Sequence, residues 1–399
     1  MASVRVNRLA PLEWVRAGAT LLVVLLHALM PYVSQPMPGV AWPVWETGST
    51  TANAVFWAIE LFIMPLFLVL AGFVAVGLIG RLGKADFLRH RARRLLVPLL
   101  FGLVVVLPID LYVWLLGWVV EGKVGWQKMR SLKIDPEIAK NLWGTSHLWF
   151  LQYLLLYSVL YAVVKEAWPE RWRHPVNRRT VRAASLLALI AIGGSVLLVR
   201  PEVVFGFQHG FFPVASKWIY NGTFYAGGIW LAVFDSRLRR IERNGVGVLL
   251  FGLLGGIASL WAGMQFLQGD ASRLILVLGA VATLASAWAL TFGIIGAAVR
   301  FAQRPRRIVL YVAAASFWIY LAHHPFLGLV HIGLKVQFPD AAPLGKGMLA
   351  WAIATLWCLG TYQIFVRHTF IGRMLGVRHA ERVCKQSVAK ELANLRQAA

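Results

Sequence analysis

The chain has 399 residues, of which 59% are hydrophobic and only 14% charged, and its mean hydropathy of +0.65 excludes an ordinary soluble globular domain. Its formal charge of +23 would suggest nucleic-acid binding in a soluble protein. Here the basic residues gather between long apolar runs, so the expected partner is a lipid bilayer and no nucleic acid. The alternating ten-residue segments of a membrane β-barrel are absent from the sequence. Cys358 and Cys384 lie in settings too unlike to suggest a bridge or a metal site.

Taken in order, the apolar runs predict ten spans, at about 14–34, 52–79, 95–118, 146–165, 183–200, 217–234, 246–267, 274–299, 308–333 and 347–366. The first has no small-residue cleavage site after it and reads as a retained helix. Of the 40 Lys and Arg residues, 30 fall in the N-terminal segment and in 81–94, 165–182, 235–243, 300–307 and 367–399. If the spans alternate, all of these lie on one side, and the positive-inside bias predicts that both termini are cytoplasmic. The expected fold is therefore all-α, a polytopic integral membrane bundle of about ten transmembrane helices over residues 1–370. A basic cytoplasmic tail follows at 371–399, of which 379–399 is expected to lie on the inner leaflet as a short amphipathic helix. Pro31, Pro36, Pro38 and Pro43 make the first outer connection irregular. The longest connection, 119–145, carries Trp126 and Trp143 and is expected to cap the bundle.

Polar residues inside these runs are the candidates for chemistry. In RAGATLLVVLLH, Arg16 and His27 stand about 16 Å apart along a helix axis, half the thickness of the hydrocarbon core. An imidazole at that depth is either functional or hydrogen-bonded for packing. Glu60, in WAIELFIMPLFLVLAGF, lies at a similar depth and is a candidate catalytic partner of His27; the alternative is a protonated carboxyl bonded to a backbone carbonyl. Asp110, after Pro108, is placed at the interface. In FLRHRARRLLVP, Arg89 and Arg93 share a helix face and suit a phosphorylated ligand together with Arg16, although such clusters also arise from topology alone. In SHLWFLQYLLLY, His147 is either a solvated first-turn residue or, with Trp149 and Gln152, part of a polar-aromatic surface suited to a sugar. SFWIYLAHHPFL places His323 and His324 in the outer half of the ninth span, with Pro325 loosening the backbone. There is no GxSxG, Walker or HExxH motif, and no metal ligand set is expected. Gly252, Gly255 and Gly256 need only helix contact to explain them.

In their order these segments resemble the acyltransferase 3 family of membrane proteins, which O-acylate glycans, lipopolysaccharide, antibiotics and periplasmic glucans. The resemblance rests on Arg16, ten residues, then His27 within LEWVRAGATLLVVLLHA, on LFLVLAGF, FLRHRARRLLVP and HLWFL, and on SFWIYLAHHP. The last is similar to the family's serine, tyrosine-leucine-x-histidine-x-proline segment at Ser316, Tyr320, Leu321, His323 and Pro325. It covers residues 8–370, and PMPGVAW, LAGF and HLWFL look most like the glucan-succinylating branch, glucan biosynthesis protein C. Glu13 stands where the family often has aspartate, and Glu60 where it more often has a neutral residue.

The resemblance implies an inner-membrane enzyme with acyl-CoA as co-substrate and no bound cofactor. It implies acyl-CoA contacts at the cytoplasmic face, where Arg16, Arg89 and Arg93 lie, and catalysis at His27; the pairing of His27 with Glu60 rests on their similar depth and not on the family pattern. The hydroxyl of a carbohydrate or glycan would be reached from the other face, among His147, Trp149, Tyr320 and His323. The acyl group is acetyl, succinyl or similar; direct transfer and an acyl-histidine relay both remain open. The competing reading is a transporter or flippase for a glycan or lipid-linked substrate, against which the sequence has no inverted repeat.

Overall fold

The computed structural model describes residues 10–131, 134–136, 141–167, 178–304 and 306–374. Ten long helices carry the predicted spans: α1 (Ala10–Leu29), α2 (Thr50–Arg91), α3 (Leu107–Val120), α4 (Trp149–Ala167), α5 (Arg178–Val199), α6 (Ala215–Phe234), α7 (Arg239–Gln268), α8 (Arg273–Phe301), α9 (Arg307–Gln337) and α10 (Pro343–Thr361). Among the described residues, eight helical stretches are long and apolar enough to cross a membrane, and the 71-residue stretch Thr50–Val120 holds two predicted spans. α6 coincides with the remaining span but is made more polar by the buried Lys217 and Asn221. The chain is an all-α, multi-pass membrane bundle, with no strand among the described residues. The expected tail helix at 379–399 lies outside the described residues.

Local chemistry sets the helix ends. The Ser49 hydroxyl accepts from the Ala52 amide at the start of α2, Ser272 accepts from Ile275 at the start of α8, and Pro343 opens α10 where no amide donor is needed. Gly83, at φ +75°, breaks α2 with a backbone conformation costly to any side chain. Between α2 and α3 the chain runs through two π-helical turns, Ala92–Leu96 and Gly102–Val106. Each turn accommodates an extra residue and so rotates the side chains beyond it.

α2 packs along α6, and α9 packs on α1, α3 and α10. The α2–α6 contact is backbone on backbone: a Cβ at Gly72 would lie 2.0 Å from the Tyr225 carbonyl oxygen, and one at Gly228 would lie 2.1 Å from that of Val69. Gly252 meets the α8 backbone at Leu290, in keeping with a packing role. Leu250, Leu254, Leu278 and Leu356 are exposed on the outside of the bundle, where hydrocarbon is their natural solvent.

The end of the bundle away from the arginine-rich connections is plugged by the segment between α1 and α2. Its two ends meet through the Ser49 amide and the Tyr32 carbonyl, 2.8 Å apart, and Trp42 at its middle is 1% exposed. Trp114 and Trp118 donate from their indole nitrogens to the carbonyls of Ala41 and Trp42. Trp126 and Trp143 of the longest connection are exposed, while its Val124, Met129, Ile134 and Leu142 pack against the core beside this earlier segment. Its proline-rich backbone cannot supply its own ladder of hydrogen bonds, and neighbouring side chains satisfy it.

Two ion pairs pin the plug, Lys346 with Glu46 and Lys335 with Glu121. Glu121 Oε1 accepts from the Trp45 amide at 2.8 Å and from Lys335 Nζ at 2.6 Å. Burial pushes the Glu121 carboxyl up, but hydrogen bonds from Lys123, Lys335 and Trp45 together hold it below the usual glutamate range. A carboxyl depressed in the folded state stabilises above its unfolded value and loses that effect as pH falls through the folded one. Glu121→Gln is therefore expected to cost about 1–3 kcal/mol at neutral pH. The gap in thermal midpoint from the parent should close as pH falls below 4.5, the ordinary value for this group. Unfolding followed in detergent across that pH range checks both.

Candidate active site

α1 carries Arg16 and His27 on one helix, and the structure surrounds them very differently. His27 Nδ1 lies 2.8 Å from the Val23 carbonyl oxygen one turn earlier. A carbonyl only accepts, so Nδ1 carries the proton and the lone pair of the neutral ring sits on Nε2. His323 is fixed in the same way, its Nδ1 donating to the carbonyls of Ile319 and Tyr320, and its Nε2 has no partner. The two rings stand edge to face with centroids 5.0 Å apart.

Two further imidazoles complete a cluster. His324 lies 5.3 Å from His27 between ring centroids and hydrogen-bonds through Nδ1 to Asp110 Oδ2 at 3.0 Å. His147 stacks on His324 at 4.3 Å, and its Nδ1 is 3.7 Å from the same carboxylate oxygen. A left-handed Ser146, at φ +47°, turns the chain into the 3-10 turn that aims His147 inward before α4 begins. Tyr320 Oη donates to the His147 carbonyl at 2.7 Å, tying that turn to α9. Asp110, His147, His323 and His324 are all at most 5% exposed, whereas His27 is half-buried and is the member of the cluster with open surface.

The plug closes the cluster from one end. Trp42 lies 6.2 Å from His27 and 5.0 Å from His324, and Trp114, 5.2 Å from Trp42, stacks on His324 at 5.0 Å. The Trp42 indole donates to His331 Nδ1 at 3.1 Å, and His331 Nε2 donates to the Ala28 carbonyl, so His331 spends both nitrogens on structure.

At the opposite end of α1, Arg16 Nη2 donates to the Ala313 carbonyl at 2.8 Å and pairs with Glu13 at 2.6 Å. Arg94 lies within electrostatic reach of both Arg16 and Arg91. Arg91 rests its guanidinium 5.2 Å over the Phe87 ring, and its buried Nε and Nη2 have no hydrogen-bond partner. Arg89 and Arg93, the pair expected beside Arg16, are exposed, and Arg89 bonds Asp86 instead. The spacing of four that paired them assumes an unbroken α-helix, and the π-helical turn at Ala92–Leu96 changes the face.

Other expectations also shift. Glu60 lies within electrostatic reach of Lys217 across the α2–α6 contact, and His27 receives no carboxylate partner among the described residues. Trp149 is buried, with Lys217 Nζ 3.7 Å over its ring, so it offers a sugar no open face. Asp110 is not interfacial but 5% exposed at the centre of the cluster. In the loop before α6, His209 is pushed down to about 4, by burial and then by the Lys217 cation, and is neutral near pH 7.

The acyltransferase-domain family matches residues 9–365, a range that takes in both the histidine cluster and the arginine end. The chain belongs to this acyltransferase family. No curated protein and no solved structure matches it. As a member, the protein is a membrane enzyme that transfers acyl groups to hydroxyl acceptors.

The geometry of this acyltransferase suits that chemistry: a neutral, partly open imidazole with its lone pair on Nε2 is a proton acceptor, and the arginine end gathers positive charge. The site includes groups that sequence spacing did not assign to it, namely Asp110, His324, Trp42 and Trp114. Asp110 and His324 were visible as charges within apolar runs. Trp42 left no such signal, because a loop tryptophan is indistinguishable from an interfacial anchor.

Proposed function

We propose that this acyltransferase moves an acetyl, succinyl or similar acyl group from acyl-CoA, bound at the arginine-rich cytoplasmic face of the inner membrane, to a carbohydrate or glycan hydroxyl reached from the other face. The reading rests above all on the tautomer of His27. With Nδ1 committed to Val23, Nε2 is free to take the proton of the acceptor hydroxyl as its oxygen attacks the thioester carbonyl. The tetrahedral adduct then collapses, the carbon–sulfur bond breaks, and CoA leaves as the thiolate, which recovers the proton. His323, its ring 5.0 Å from that of His27, also carries its lone pair on Nε2 and would accept from a neighbouring hydroxyl of the same sugar.

The donor side is assigned to Arg16, Arg91 and Arg94, whose charges suit the phosphates of CoA. Arg91→Gln is expected to raise the KM for acyl-CoA about tenfold, one charge-assisted hydrogen bond, with kcat little changed. Arg89→Gln should leave it near the parent value. Initial rates over a range of acyl-CoA concentrations distinguish the two, and an unchanged KM for Arg91→Gln returns that residue to a topological role.

The function itself is tested with purified protein in nanodiscs, radiolabelled acetyl-CoA or succinyl-CoA, and a glycan extract. Label entering carbohydrate with release of free CoA thiol is the expected result. Movement of glycan across a vesicle membrane without thioester cleavage would contradict it and favour a transporter.

A further inference from the structure

The cluster contains more buried polar capacity than proton transfer at His27 uses. Asp110 from α3, His147 from the turn before α4 and His324 from α9 each place a ligand-type atom within 4.8 Å of the other two. Asp110 Oδ2 lies 3.0 Å from His324 Nδ1 and 3.7 Å from His147 Nδ1. The Asp110–His324 hydrogen bond accounts for two of these groups and leaves the third unexplained. Both ring nitrogens of His147 and the second oxygen of Asp110 are enclosed without a hydrogen-bond partner; the Leu321 backbone approaches His147 outside bonding geometry. Enclosing such groups unpaired is costly, and the convergence of His147 Nδ1, His324 Nδ1 and the Asp110 carboxylate is better explained by something that all three bind.

We propose that Asp110, His147 and His324 form a binding site for a divalent transition cation of the zinc type. The donor set, two imidazoles and one carboxylate, is one that such ions take in sites with three protein ligands and a fourth position open. Donors about 2.1 Å from a tetrahedral ion stand about 3.4 Å from one another, and the two separations measured to Asp110 Oδ2 bracket that value. An oxygen-only cation such as magnesium is disfavoured by the imidazole majority. The ligands are scattered over three elements, which is why no ligand spacing is visible in the sequence. The ion would sit beside His27, whose ring is 5.3 Å from that of His324, and would place positive charge where the reaction develops negative charge.

The site is tested by metal content, which does not depend on the acyl-transfer reading. Full-length protein without a histidine tag is stripped with chelator in detergent, incubated with zinc alone, desalted and analysed by mass spectrometry. One zinc per chain is expected, with affinity reduced at least tenfold in His147→Ala and in Asp110→Asn. Wild-type protein that retains no zinc, or zinc retained equally by a His147→Ala/His324→Ala variant, overturns the site. If the variants do not fold, cobalt replaces them as the probe on the wild-type chain. Intense visible d–d bands of a four-coordinate ion, removed by zinc, support the proposal; the pale spectrum of the hexaaquo ion overturns it.

Discussion

His27→Ala is expected to lower acyl transfer by about 10²–10⁴-fold, the range general-base catalysis contributes, while the protein remains folded in the membrane. The loss follows from position as much as from chemistry. Of the four clustered histidines, His27 is the one with open surface, and its bond to Val23 fixes the lone pair on Nε2. His27→Gln separates proton transfer from packing. A glutamine amide fills similar space and donates a hydrogen bond, but it takes no proton at neutral pH. Both variants should lose activity alike, measured as CoA thiol release under saturating donor. Retention of more than a tenth of the parent rate by His27→Gln would reduce His27 to a packing residue.

Trp42→Ala is expected to cost about 3–5 kcal/mol of stability, the usual range for deleting a large aromatic ring from a packed interior. The ring is 1% exposed, touches His27, Trp114, His324 and His331, and lies in the segment that closes one end of the bundle. Trp42→Phe keeps most of the ring but removes the donor to His331 Nδ1, leaving a buried acceptor unpaired at a cost of about 1–3 kcal/mol. The order alanine, phenylalanine, parent in thermal midpoint is the expected result. The alanine variant should also lose activity, because water then reaches the histidines. Equal midpoints for all three would show that the plug does not depend on this residue.

What the sequence disclosed, and what it hid, divides along physical lines. Helical spans were legible because hydrocarbon leaves the backbone no hydrogen-bond partner but itself. Arg16, His27 and His323 were legible because ionisable groups in apolar runs are expensive and demand a reason. Rotation about a helix axis was not legible. Arg91, the last residue of α2, has guanidinium nitrogens enclosed in the protein while Arg89 and Arg93 are exposed, Arg93 lying in the π-helical turn at Ala92–Leu96, and the face of α2 bearing Glu60 met Lys217 on α6. Asp110 was placed at the interface because it lies near the predicted end of a span. The plug extends protein beyond that end and encloses it. The Trp42–His331 bond joins residues 289 positions apart, and no local pattern foretells such a contact.

The most direct measurement is a cryo-EM structure with a non-hydrolysable thioether analogue of acetyl-CoA. The expected map places the analogue's phosphates against Arg16, Arg91 and Arg94 and threads its arm along α1, so that the sulfur lies beside His27 Nε2. Phosphates bound away from those arginines, or a sulfur ending outside the histidine cluster, would contradict the proposed route of transfer.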